Sequence, residues 1–163
     1  MTLKSLTRRL AEVCERSAAV IFAAVCILNF SQVFGRYMLG SSLTWAEEIM
    51  RYSMLWVMML GGTAAIYRGD RMAVDTILDM LSERYRHLVR SALFGVAGLF
   101  CALLVWFGWP AALANARQSA AASGLPMVVP YLALPIGGTL MIIEIALCWA
   151  SGFEDTRFDE EAY

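Results

Sequence analysis

The sequence predicts an all-α integral membrane protein: four transmembrane helices plus a cytoplasmic in-plane amphipathic helix between the second and third spans. Three observations carry this. The 163 residues are 60% hydrophobic and 17% charged, with a mean hydropathy of +0.60, which is more apolar surface than a soluble domain of this length buries. The charges leave four gaps, at residues 17–35, 52–67, 91–116 and 118–143, and a charge at the bilayer centre costs about 2.5–3.5 kcal/mol. The basic residues also segregate. Ten of the 13 Lys and Arg precede the first gap, lie between the second and third, or follow the last; only Arg36, Arg51 and Arg117 occupy the other connections. The positive-inside rule then places both termini in the cytoplasm.

Residues 1–16 form a basic segment whose Leu3, Leu6, Leu10 and Val13 recur at helical spacing, an interfacial helix able to run straight into the first span. The membrane domain covers 17–151, with spans at about 17–37, 48–67, 91–114 and 128–150, each near the ~20 residues that cross a hydrocarbon core. The first span ends Asn29-Phe30-Ser31-Gln32-Val33-Phe34-Gly35 without a small-x-small cleavage site, so it is expected to be retained rather than removed as a signal peptide. Asn29 and Gln32, three residues apart, share a face suited to packing between helices.

The second span opens on Trp45-Ala46-Glu47-Glu48 and Arg51-Tyr52. Glutamates four and three residues before an arginine, beside aromatics, mark a helix entering a membrane with its charges paired at the water boundary. Deeper, Gly61 and Ala65 form a small-xxx-small face with Gly62 beside it, expected to meet another helix, and Gly95, Gly98 and Ala102 repeat that pattern in the third span.

Between the second and third spans, Val74, Ile77, Leu78, Leu81, Tyr85 and Leu88 step by three, one, three, four and three, giving one apolar face, with acids first and bases last. A helix over about 72–88 lying in the interface follows. The fourth span is expected to start near Pro126 or Pro130 and to kink at Pro135. It carries Glu144 toward its cytoplasmic half. An acid at that depth either pairs, snorkels to the nearby water or has a function. Residues 152–163 form an acidic tail.

Several functions are excluded. There is no phosphate-cradling Gly-Lys-Ser/Thr motif for ATP hydrolysis. The only histidine, His87, lies outside the spans, where it could not ligate a haem within the membrane. Cys14, Cys26, Cys101 and Cys148 lack metal-ligand spacing and read as small packing residues. The expectation is no enzyme, no catalytic residue, no metal, no cofactor and no nucleic-acid partner; membrane lipids are the partner that composition itself implies.

Arg36-Tyr37, Trp45-Ala46-Glu47-Glu48, Arg51-Tyr52, Gly61-Gly62 and the segment from Arg68 through Arg71 to Asp75 resemble the small, DctQ-like permease subunit of tripartite ATP-independent periplasmic (TRAP) transporters. Leu125-Pro126 and Tyr131-Leu132-Ala133-Leu134-Pro135-Ile136-Gly137 form a second matching block. Arg71 stands where members often carry histidine. The resemblance implies a bacterial inner-membrane complex in which a periplasmic substrate-binding protein captures an organic acid and a large, M-type permease subunit moves it with a sodium gradient. The coupling sodium ions then belong to the large subunit, and this chain is its scaffold. Arg36, Tyr37, Trp45, Glu47, Glu48, Arg51, Gly61, Gly62 and Ala65 are the expected anchoring and interface residues, with Arg68, Arg71 and Asp75 on the cytoplasmic segment. The alternative reading of the residues is a self-sufficient dimeric exporter that binds its proton on Glu144.

Overall fold

The computed structural model describes residues 3–38, 40, 43–72 and 83–150. They form four long helices: α1 (Leu3–Met38), α2 (Thr44–Met72), α3 (Glu83–Ala114) and α4 (Val128–Ala150). Each contains a stretch long and apolar enough to cross a membrane. The basic segment and first span are one continuous 36-residue helix, because no glycine or proline interrupts the sequence before Gly35.

The in-plane helix expected over about 72–88 is met only at its edges. Met72 closes α2, Glu83 opens α3, and residues 73–82, Asp75 among them, lie outside the described residues. The acidic tail lies outside them too. Residues 83–88 differ from the expectation: they belong to the same helix as the third span. Nothing between Glu83 and Ser91 breaks a helix, so the backbone hydrogen bonds propagate through.

α4 is the hub. It packs against α3, α2 and α1, whereas α3 rests on α4 and builds no comparable face with α1 or α2. α1 and α2 run antiparallel, with Glu15 reaching Arg68 at one end and Gln32 reaching Glu47 at the other. α2 and α4 run parallel: Met59 faces Gly137 and Gly62 faces Met141. α3 returns antiparallel, its Gly108 against the Pro135 ring and its Val105 against Gly138.

Small residues decide how closely these helices approach. On α1 a buried or half-buried run of Thr7, Ala11, Cys14, Ala18, Ile21, Val25, Leu28, Gln32 and Gly35 alternates steps of four and three, with Ser5, Leu10, Glu12 and Glu15 half-buried beside it. That is the 3.5-residue repeat of a left-handed seam. Leu6 and Val13 of the apolar stripe in the first segment are exposed, on the side away from the bundle, while Thr7, Ala11 and Cys14 are buried. In a membrane, large apolar side chains have no reason to turn inward, and close backbone contact is what helix association gains from. α4 passes unbroken through Pro135, whose carbonyl accepts a 2.6 Å hydrogen bond from Thr139 Oγ1.

Candidate functional site: the boundary frame and the buried acid

At one end of the bundle, Glu47 and Glu48 tie α2 to two different neighbours. Gln32 Nε2 on α1 donates to Glu47 Oε1 at 2.9 Å. Glu48 accepts from the segment between α3 and α4: Ser123 N at 2.9 Å and Ser123 Oγ at 2.8 Å to Oε2, with Ala122 N 3.2 Å from Oε1 and 3.3 Å from Oε2. The hydrogen bonds of these acids thus go to other partners, while Arg51 stays within electrostatic range of Glu48. Among the described residues Arg51 makes no hydrogen bond or ion pair, and the carboxylates one turn before it serve uncharged donors.

The segment held by Glu48 is a small hairpin that the sequence reading missed. Met127 N donates to Gln118 O and Ala120 N to Leu125 O, both at 2.8 Å, around a bridge between Ser119 and Pro126. Gly124 turns it with a φ of +68°, a conformation that costs other residues steric strain. Ser123-Gly124 was the available signal. Without Glu48 the Ala122 and Ser123 amides lose their acceptor. In Glu48→Ala, hydrogen–deuterium exchange at residues 120–125 should run roughly tenfold faster than in wild type, with α4 unaffected, as local opening of an unanchored turn requires.

The opposite end is joined by an ion pair: Arg68 Nη2 lies 2.6 Å from both carboxylate oxygens of Glu15. Both side chains are substantially exposed, so the pair contributes about 0–1 kcal/mol and orients more than it holds. Arg71 is the penultimate residue of α2.

Between the two ends lies Glu144. It is fully buried, and neither carboxyl oxygen has a hydrogen-bond partner among the described residues. Among the described residues it has no ion-pair partner, and it does not reach the surface. Cys14 of α1 lies within electrostatic range. One turn before it on α4, Met141 meets Gly62 of α2, which places the carboxyl where α1, α2 and α4 converge.

The other expected residues sit on the outside. Arg36, Tyr37 and Trp45 are exposed. Gly61 has open space where a Cβ would stand and Ala65 is exposed, so the close approach within the chain falls to Gly62 instead. Gly95 and Gly98 are likewise open, and Asn29 is exposed while Gln32 is buried. The described His, Cys, Asp and Glu side chains form no cluster suited to a metal ion.

The family described as tripartite ATP-independent periplasmic transporters, DctQ component, matches residues 25–154, most of the chain. The chain belongs to this family. It is a small permease subunit of a TRAP transporter. It is 27% identical over 139 residues to a protein of Haemophilus influenzae named as a TRAP transporter small permease, covering 85% of this chain and 86% of that one. It is also 27% identical over 143 residues to the sialic acid TRAP transporter small permease protein SiaQ of Vibrio cholerae, covering 87% and 82% respectively. A third relative, the isethionate TRAP transporter permease protein DctMQ of Oleidesulfovibrio alaskensis, is 25% identical over 134 residues. That match spans 78% of this chain and 21% of the much longer relative. TRAP family membership implies a large M-type permease as the partner, and the DctMQ relative is consistent with it. The matched region contains Gln32, the Glu47–Glu48 frame, the hairpin and Glu144.

Proposed function

We propose that this subunit is the fixed scaffold of the large permease during sodium-coupled uptake of an organic acid delivered by a periplasmic binding protein. It would sit in the bacterial inner membrane with both termini in the cytoplasm, and the coupling sodium ions would bind to the large subunit. One observation carries the scaffold role: the adjacent Glu47 and Glu48 accept hydrogen bonds that join α2 to α1 and to the hairpin. Carboxylates committed to joining elements of their own chain stiffen a frame, and a gating or rocking transporter needs a part that stays put. Exposed apolar side chains along α1 and α3, such as Phe30, Phe34, Leu99, Leu103 and Trp106, offer surface to lipid and to a large subunit. The relatives support the substrate class, since sialic acid, isethionate and the C4-dicarboxylates of two further relatives are all organic acids.

The test is a mild-detergent pull-down of this chain from its native membrane, with mass spectrometry of what accompanies it. A large multispan permease at equal stoichiometry is expected. Glu47→Lys with Glu48→Lys should reduce its recovery severalfold, because the reversed charges expel both the Gln32 amide and the hairpin N–H groups. Recovery of a homodimer alone would sink the proposal.

A further inference from the structure

At the frame end of the bundle, a recess of about 240 Å³ opens between α2 and α4. Arg51, Tyr52 and Tyr131 are its polar lining residues, and Leu55, Met127, Pro130 and Leu134 its apolar ones. The deepest lining residue on each helix is a leucine. On α2 the step from Arg51 to Leu55 is one turn, and on α4 the step from Tyr131 to Leu134 is nearly one, and these helices run parallel. Cation and phenols therefore lie toward the boundary, with Met127 and Pro130 beside them, and Leu55 and Leu134 lie about one turn deeper.

Arg51 is the unusual member. It lies seven residues into α2, roughly 10 Å along the axis from Thr44 at 1.5 Å per residue, at the edge of the second apolar run. Its nearest acid, Glu48, is within electrostatic range but is engaged with Ser123 and Ala122. Glu47 is engaged with Gln32. A guanidinium at the hydrocarbon edge that makes no ion pair or hydrogen bond with a described residue is free to take an external anion. Its planar fork suits phosphate.

We propose that this recess is a phospholipid site: the headgroup phosphate sits on Arg51, the glycerol region lies beside Tyr52 and Tyr131, and an acyl chain runs down over Leu55 and Leu134. A carboxylate from another subunit would satisfy the charge but not the apolar half. Free phosphate would not either. The lipid is the ligand whose charge and greasy part are separated as the recess separates them. This inference needs only that the bundle lies in a membrane and is independent of the scaffold role.

The experiment is native mass spectrometry of the complex purified in mild detergent, comparing wild type, Arg51→Gln, Leu134→Trp and Arg36→Gln. The probes are phosphatidylethanolamine, a diacylglycerol with the same acyl chains, and inorganic phosphate. One phospholipid per chain is expected to survive delipidation in wild type and in Arg36→Gln, which removes an exposed boundary charge elsewhere. Occupancy should fall at least fivefold in Arg51→Gln and in Leu134→Trp, which fills the apolar part but keeps the cation. Diacylglycerol should not bind, and millimolar phosphate should not displace the lipid. Equal loss in Arg36→Gln, retention in Arg51→Gln, or binding of diacylglycerol would overturn the proposal. So would displacement by free phosphate, or loss of the large subunit rather than of lipid from Arg51→Gln.

Discussion

Gly137→Ala is expected to separate α2 from α4, while Gly62→Ala, on the same pair of helices, does little. A Cβ at Gly137 would collide with Met59 Cβ and would lie 2.9 Å from its Cγ. Met59 Cβ is fixed by the α2 backbone, so no rotamer clears it, and the helices must part. A Cβ at Gly62 meets Met141 Cε, the free end of a flexible side chain that can swing away. Overpacking a well-fitted helix contact costs about 1–3 kcal/mol, and Gly137→Ala belongs at the top of that range. Thermal unfolding of the purified subunit in detergent should show a large drop for Gly137→Ala and a small one for Gly62→Ala. Equal drops would mean that the α2–α4 contact is not held by this glycine.

Glu144 should tolerate loss of its charge and not reversal of it. Glu144→Gln keeps the shape and removes the ionisable group from a place with no partner for a carboxylate. Stability should be unchanged or raised, and uptake by the assembled complex largely intact. Glu144→Lys forces an ammonium into the junction of α1, α2 and α4. An uncompensated buried charge costs about 3–5 kcal/mol, enough to cost a marginally stable bundle its fold. Detergent unfolding curves and transport by the reconstituted complex would check both variants. Loss of uptake in a well-folded Glu144→Gln protein would assign the carboxyl a direct part in transport and count against a purely scaffolding subunit.

The span pattern was legible because charge is so costly in hydrocarbon: gaps between Arg and Glu located all four helices, and Val128–Ala150 coincides with the expected fourth. Inward and outward faces were harder to read. Leu6 and Val13 drew attention to the stripe that meets lipid, while the seam through Thr7, Ala11, Cys14 and Ala18 was visible only as a repeat of small residues. At the boundary, Glu47, Glu48 and Arg51 were marked by spacing, but local spacing points to partners on the same helix. Gln32 and Ser123, the partners the acids take, lie 15 and 75 residues away in sequence, and no periodicity links them. The hairpin at 118–127 gave only Ser-Gly as a sign.

Adjacent residues on a helix point about 100° apart around its axis. Two pins set at that angle do what one cannot: the Gln32 bond to Glu47 resists rolling of α2 in one sense, and the Ser123 clamp on Glu48 resists it in the other. Near the far end the Arg68–Glu15 pair adds orientation rather than strength. On the proposed scaffold role, a push arriving at this end would meet α1, α2 and the hairpin as a single keyed collar, with α2 poorly placed to act as a crankshaft between a partner and the interior.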